Sequence, residues 1–194
     1  MWGDRYAVLA SGSGSNLQAL LEASVPDPVV VIADVECGAQ NRAREAQIPT
    51  ELVAFEGDRA VFTDRILEVA SSYQVGALVL AGFMRILGSA APNALPDRIV
   101  NIHPSLLPSF PGRNAVAQAL QAGVKITGVT IHFVDEYVDH GPIIAQQAVP
   151  VLPDDDVESL HARIQTEEHQ LYPRVVEALV HGRLLVRDRQ VTWT

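Results

Sequence analysis

Tyr6-Ala7-Val8-Leu9-Ala10-Ser11-Gly12-Ser13-Gly14-Ser15-Asn16-Leu17 is the stretch that decides the fold. Five apolar residues run on without alternation, as a strand does when both of its faces are covered. A glycine-serine loop follows, and Leu17, Leu20 and Leu21 then recur at helical spacing. The unit strand, tight loop, helix is repeated outward from there. Val29–Ala33, Thr50–Val53, Ala77–Ala81 and Ile99–Ile102 are further short strands. Asn41–Ala46 reads as a short helix stopped before Pro49. Arg59–Ser72 carries Val61, Phe62, Ile66, Leu67, Val69 and Ala70 at a helical period. Such alternation predicts a doubly wound α/β sheet, mostly parallel. The second half changes pattern. Ala115–Gln121 is a helix ended by Gly123. Thr127–Val134 and Ile143–Val149 read as antiparallel strands joined through Gly141-Pro142. Asp154-Asp155-Asp156 caps a long helix from about Val157 to Val180, where acidic residues complement the helix dipole better than they make a metal site. Leu184–Trp193 is expected to add a last edge strand.

The 194 residues suffice for one core, and no repeat or compositional break divides them, so a single domain over 1–194 is expected. Hydrophobic residues make up 48% and charged residues 19%, which excludes wholesale disorder. A formal net charge of −9 argues against nucleic acid and against an anionic membrane as partners, while leaving room for a small anionic substrate in a local pocket. The lone Cys37 rules out an internal disulfide and a cysteine zinc cluster, and reads as a small buried or half-buried residue. No apolar run is long enough to span a bilayer, and Met1-Trp2-Gly3-Asp4-Arg5 lacks a signal-peptide pattern. A cytoplasmic setting is expected.

Four motifs carry chemistry. The loop Ser11–Asn16 opens a helix at a strand end, where N–H groups and the dipole favour an anion. Leu17 breaks the dinucleotide glycine pattern, and no lysine makes it a Walker loop. A phosphate monoester at Gly14, Ser15 and Asn16 fits, and so does an ordinary capped turn. Asn101 and His103 stand two apart at the end of a strand, hence on one face, before a loop stiffened by Pro104, Pro108 and Pro111. An amide there can bind a developing oxyanion and an imidazole can move a proton, or both can simply finish a turn. Met84-Arg85-Ile86-Leu87 follows the fourth strand at the sheet edge where open α/β folds bind ligands, although a snorkelling Arg85 would look the same. Asp139, before a Gly-Pro turn, either faces His103 and favours its charged form or caps the turn.

Taken together, six segments resemble the folate-dependent formyltransferase family, and the glycine loop points to its phosphoribosylglycinamide formyltransferase members. They are Ser-Gly-Ser-Gly-Ser-Asn at 11–16, Ala-Gly-Phe-Met-Arg-Ile-Leu at 81–87, Asn-Ile-His-Pro-Ser-Leu-Leu-Pro at 101–108, His-Phe-Val at 132–134, Asp-His-Gly-Pro at 139–142 and Gln-Thr-Glu-Glu-His at 165–169. The resemblance implies a Rossmann-like sheet of about seven strands with an antiparallel portion in the C-terminal half. It implies formyl transfer from 10-formyltetrahydrofolate, a co-substrate, to glycinamide ribonucleotide, with no metal and with small molecules as partners. A homodimer is compatible with it. By residue-wise carry-over, Asn101, His103 and Asp139 would be catalytic. Gly14, Ser15, Asn16, Gln165 and Glu168 would hold the nucleotide. Arg59, Met84, Arg85, Ile86, Leu87 and Asn101 would surround the folate, with Met84, Ile86 and Leu87 as an apolar wall. A nucleotide half over about 1–100 and a folate and catalytic half over about 101–194 follow. The chain departs from the pattern at Ser13, at Thr63 where an acidic residue is frequent, at Arg113-Asn114 where some members carry histidines, and at His140 where a small residue is usual. A formyltetrahydrofolate hydrolase, another formyltransferase, an NAD-binding oxidoreductase and a non-catalytic module are the alternatives.

Overall fold

The computed structural model describes residues 4–194, so the reading of Met1–Gly3 lies outside the described residues. Seven strands form the main sheet: β1 (Tyr6–Ala10), β2 (Val30–Ala33), β3 (Thr50–Leu52), β4 (Ala77–Leu80), β5 (Ile99–His103), β6 (Ile126–Phe133) and β7 (Ile143–Pro150). Their order is β3-β2-β1-β4-β5-β6-β7. The first five are parallel, and β6 and β7 are antiparallel to their neighbours. This is the expected Rossmann-like architecture. The chain leaves β1 in one direction along the sheet and returns to β4 on the other side of it, opening a crevice at the carboxyl ends of β1 and β4.

Strand pleating sends alternate residues to opposite faces. One face carries Tyr6, Val8, Val79, Val100, Ile102, Val129 and Ile131, packed with helices α1 (Ser15–Glu22), α2 (Gly38–Glu45) and α6 (Val157–Val180). The buried Tyr172 of α6 sends its hydroxyl to the Leu80 carbonyl (2.7 Å), tying that helix to the centre of the sheet. The other face carries Ala7, Leu9, Val30, Ile32, Leu78, Leu80 and Ile99, covered by α3 (Arg59–Ser72) and α4 (Ala90–Ala94) through Phe62, Ile66 and Ala91. Helix α5 (Ala115–Ala122) ends at Gly123, as expected.

Three details differ from the sequence reading. Helix α2 starts at Gly38 rather than Asn41, because Cys37 and Gln40 form a capping box in which the Gln40 Oε1 accepts from the Cys37 N–H (3.2 Å). Helix α4 was not expected. The tail is a separate hairpin of β8 (Leu184–Arg187) and β9 (Gln190–Trp193), not an edge strand of the main sheet. Its turn residues, Asp188 and Arg189, both take positive φ, 45° and 70°, so a tight hairpin turn forms without a glycine to announce it.

Candidate active site

On β5 the apolar pattern breaks in mid-strand. Ile99 enters the core, but Asn101 and His103, pointing to the same face, are polar. Antiparallel pairing sets His132 opposite Asn101 and Thr130 opposite His103. Helices α3 and α4 do not cover this patch. Two loops do, 104–114 and 134–142. The second bends back sharply at Gly141, where a β-carbon would come within 1.8 Å of the Phe133 carbonyl oxygen, so a side chain is sterically excluded. Asp139 itself adopts φ 51°, a left-handed conformation that Asp tolerates better than most residues. That turn delivers its carboxylate onto the patch.

The result is a closed cluster. Asp139 Oδ2 lies 3.4 Å from His103 Nδ1 and accepts from the Gly112 N–H at 2.7 Å. Asp139 Oδ1 accepts from Asn101 Nδ2 (3.4 Å) and lies 3.6 Å from His132 Nε2. His103 Nε2 faces the Phe110 carbonyl at 2.8 Å. Both nitrogens of His103 therefore meet oxygen acceptors, and a doubly protonated ring can donate to both. His132 Nδ1 faces the Phe133 carbonyl (2.8 Å); with its hydrogen there, the neutral ring accepts from Asn101 Nδ2 through Nε2 (3.2 Å), and the charged ring instead points Nε2–H at Asp139 Oδ1. Burial pushes the Asp139 carboxyl up. The His132 ring, the Gly112 amide and the positive charge available on both histidines outweigh that and hold it below the ordinary carboxylate value.

The covering loop is itself anchored. Thr130 Oγ1 donates to the Ser105 carbonyl (2.7 Å) and accepts from the Leu107 N–H (3.0 Å), and Gln146 Nε2 donates to the Leu107 carbonyl (2.9 Å). Asn101 and His103 thus share a face, as their spacing suggested, and Asp139 meets both of them there. His132 was missed as a site residue. A lone histidine in a partly alternating run reads as core, and only the β5–β6 pairing seen in the fold sets it opposite Asn101.

The glycine loop sits at the neighbouring crevice. Ser11 N–H donates to the Gly82 carbonyl (3.1 Å), and Met84 N–H to Ser11 Oγ (2.8 Å), which joins the loops after β1 and β4. Gly14 takes φ 78°, and α1 begins at Ser15. Asn16 is buried and donates through Nδ2 to Glu168 Oε2 (2.9 Å) on α6, so two of the expected nucleotide residues, far apart in sequence, do meet. Gln165 lies one turn earlier on the same helix. The folate set is less uniform. Met84 and Ile86 are exposed by 61% and 51%, as a binding wall requires, but Leu87 turns into the core with Phe62 and Phe83. The Gly88 N–H bond to Thr63 Oγ1 (2.7 Å) pulls that end of the loop onto α3. Arg85 is engaged by Asp34 (2.6 Å) and lies over the Phe55 ring at 4.9 Å, so its guanidinium braces the rim. Arg59, the first residue of α3, is exposed, with its backbone carbonyl near Gly88. Among the described residues no group of three or more His, Cys, Asp and Glu could hold a metal ion, and no helix is long and apolar enough to cross a membrane.

The comparisons with known proteins agree on one family. The formyl transferase family matches residues 4–176. The phosphoribosylglycinamide formyltransferase of Mycobacterium tuberculosis is 45% identical over 97% of this chain and 93% of its own length. The trifunctional purine biosynthetic protein adenosine-3 of Drosophila melanogaster is 44% identical over 94% of this chain, which spans 14% of that much longer protein. The crystal structure of glycinamide ribonucleotide transformylase 1 from Symbiobacterium toebii superimposes with a TM-score of 0.94 at 43% identity, covering 97% of this chain and 93% of that one. With the polar cluster on β5 and β6 and the glycine loop beside it, these matches place the chain in the formyl transferase family, among its phosphoribosylglycinamide formyltransferases.

Proposed function

We propose that this chain transfers the formyl group of 10-formyltetrahydrofolate to the amine of glycinamide ribonucleotide, with Asn101, His103 and Asp139 as its catalytic residues. The convergence of those three side chains at the carboxyl edge of the sheet, one loop away from Gly14–Asn16, carries the reading. The nucleotide phosphate meets the N–H groups of Gly14, Ser15 and Asn16 at the start of α1. Glu168, with Gln165 beside it, receives the ribose hydroxyls. The flat head of the folate lies against Met84 and Ile86, reads the backbone of 84–87, and reaches the 139–141 turn, with Arg59 at the outer rim. Both halves of the chain thus serve both substrates.

The amine lone pair attacks the formyl carbon, a carbon–nitrogen bond forms, and the carbonyl oxygen becomes an oxyanion. Asn101 exchanges an acceptor in the cluster for that oxygen, and the charged His103 ring stabilises it. Collapse breaks the bond to the folate nitrogen. The proton lost by the amine nitrogen, which became cationic on bonding the formyl carbon, ends on the folate nitrogen, relayed through His103 and Asp139. His132 keeps the Asn101 amide aimed by accepting one of its hydrogens. Mixing the chain with 10-formyltetrahydrofolate, with and without glycinamide ribonucleotide, tests the reading. Turnover that needs the nucleotide supports it; deformylation at the same rate without the nucleotide makes the chain a hydrolase.

A further inference from the structure

The glycine loop is shaped from outside, by helix α2. The Gly12 carbonyl accepts from the Ala39 N–H (3.1 Å), and the Ser13 carbonyl accepts from Arg42 Nε (2.9 Å). The same guanidinium donates through a terminal nitrogen to Gln18 Oε1 on α1 (2.9 Å). Helix α2 approaches so closely that a β-carbon on Gly14 would fall 2.7 Å from Ala39 Cα. In a planar trans peptide the carbonyl and the following N–H point in opposite directions. Tying the Ser13 carbonyl back to Arg42 therefore turns the Gly14 N–H away from α2.

Arg42 takes part in none of the ion pairs among the described residues. It lines an open groove of about 440 Å³ with Ser15, Gln18, Glu22 and His169, in a chain whose formal net charge is −9. Glu22 in that groove accepts from Gln18 Nε2 (2.8 Å). A positive charge and a fixed peptide plane thus stand together at the loop.

We propose that Arg42 is a positioning residue for the nucleotide phosphate, holding the Ser13–Gly14 peptide with its N–H presented to the anion. This rests on the reading of Gly14–Asn16 as the phosphate site. Lysine could replace the charge but could not span the Ser13 carbonyl and Gln18 with a planar fork.

Calorimetry on the full chain with glycinamide ribonucleotide and with its dephosphorylated nucleoside separates the two ideas. Wild type should prefer the nucleotide. Arg42→Met should weaken the nucleotide roughly tenfold and leave the nucleoside unchanged, the scale of one charge-assisted hydrogen bond. Arg42→Lys should recover part of the loss, while kcat at saturating nucleotide and KM for the formyl donor stay at wild-type values in both variants. A Met variant with the wild-type preference for the nucleotide overturns the role of Arg42. Equal weakening of nucleotide and nucleoside marks general local damage and overturns it too. A wild-type protein that binds both ligands equally overturns the phosphate reading underneath.

Discussion

One face of the sheet holds two regions built on the same pleat and put to different uses. Over β1, β2 and β4 it shows Ala7, Leu9, Val30, Ile32, Leu78 and Leu80, closed by Phe62 and Ile66 of α3. Over β5 and β6 it shows Asn101, His103, Thr130 and His132, closed by loops. Helices cover the first region because a helix satisfies its own backbone and offers an apolar stripe. A polar patch needs partners with free hydrogen-bonding groups, and loop backbone supplies them: the Phe110 carbonyl for His103 and the Gly112 amide for Asp139. Chemistry is possible where the helical cover stops.

If the division is right, substitutions on the two sides should fail in different ways. Phe62→Ala should cost about 3–5 kcal/mol of unfolding free energy, the usual range for a core aromatic, and leave kcat per folded molecule unchanged. Chemical denaturation with an activity assay on the folded fraction reads both. Asn101→Ala should raise the barrier to formyl transfer by about 2.7–4 kcal/mol, the cost of losing an oxyanion donor, with a far smaller change in Tm. A loss of stability equal to that of Phe62→Ala would erase the contrast. Asp139 gives a pH signature. Its folded value lies below its unfolded one, so its contribution to stability is present above the ordinary carboxylate value and is lost as pH falls through the depressed one. The unfolding free energy of wild type should therefore fall in that acid range by more than that of Asp139→Asn. Last, Met84→Ser at the exposed rim should raise KM for the folate by roughly 1 kcal/mol of lost apolar contact, leaving Tm and nucleotide affinity alone.

The unalternating runs at 6–10, 30–33 and 77–80 made the parallel sheet legible, because burial on both faces leaves a continuous apolar signature. Helix α4 escaped because five residues, Ala-Ala-Pro-Asn-Ala, are too few to show a period. The tail hairpin escaped because Asp188-Arg189 carries no glycine. In the site, Asn101 and His103 declared themselves by their spacing at a strand end. Leu87 did not declare that it faces the core, since that depends on the Gly88–Thr63 bond between segments distant in sequence. Nor did Arg85 show that Asp34 and Phe55 engage it. The sequence carries local pattern; pairings across the fold appear only with the fold itself.

Formyl transfer by this cluster depends most directly on the charge of Asp139. Asp139→Asn keeps the shape, keeps an oxygen for the Gly112 N–H and suits the left-handed backbone at φ 51°, so the fold should tolerate it. The rate of formyl transfer from 10-formyltetrahydrofolate to glycinamide ribonucleotide, measured at saturation beside the melting temperature, should drop by roughly 10²–10⁴-fold, while Tm falls only by the stability that the Asp139 charge contributes. A variant that transfers formyl groups at the wild-type rate would contradict the account.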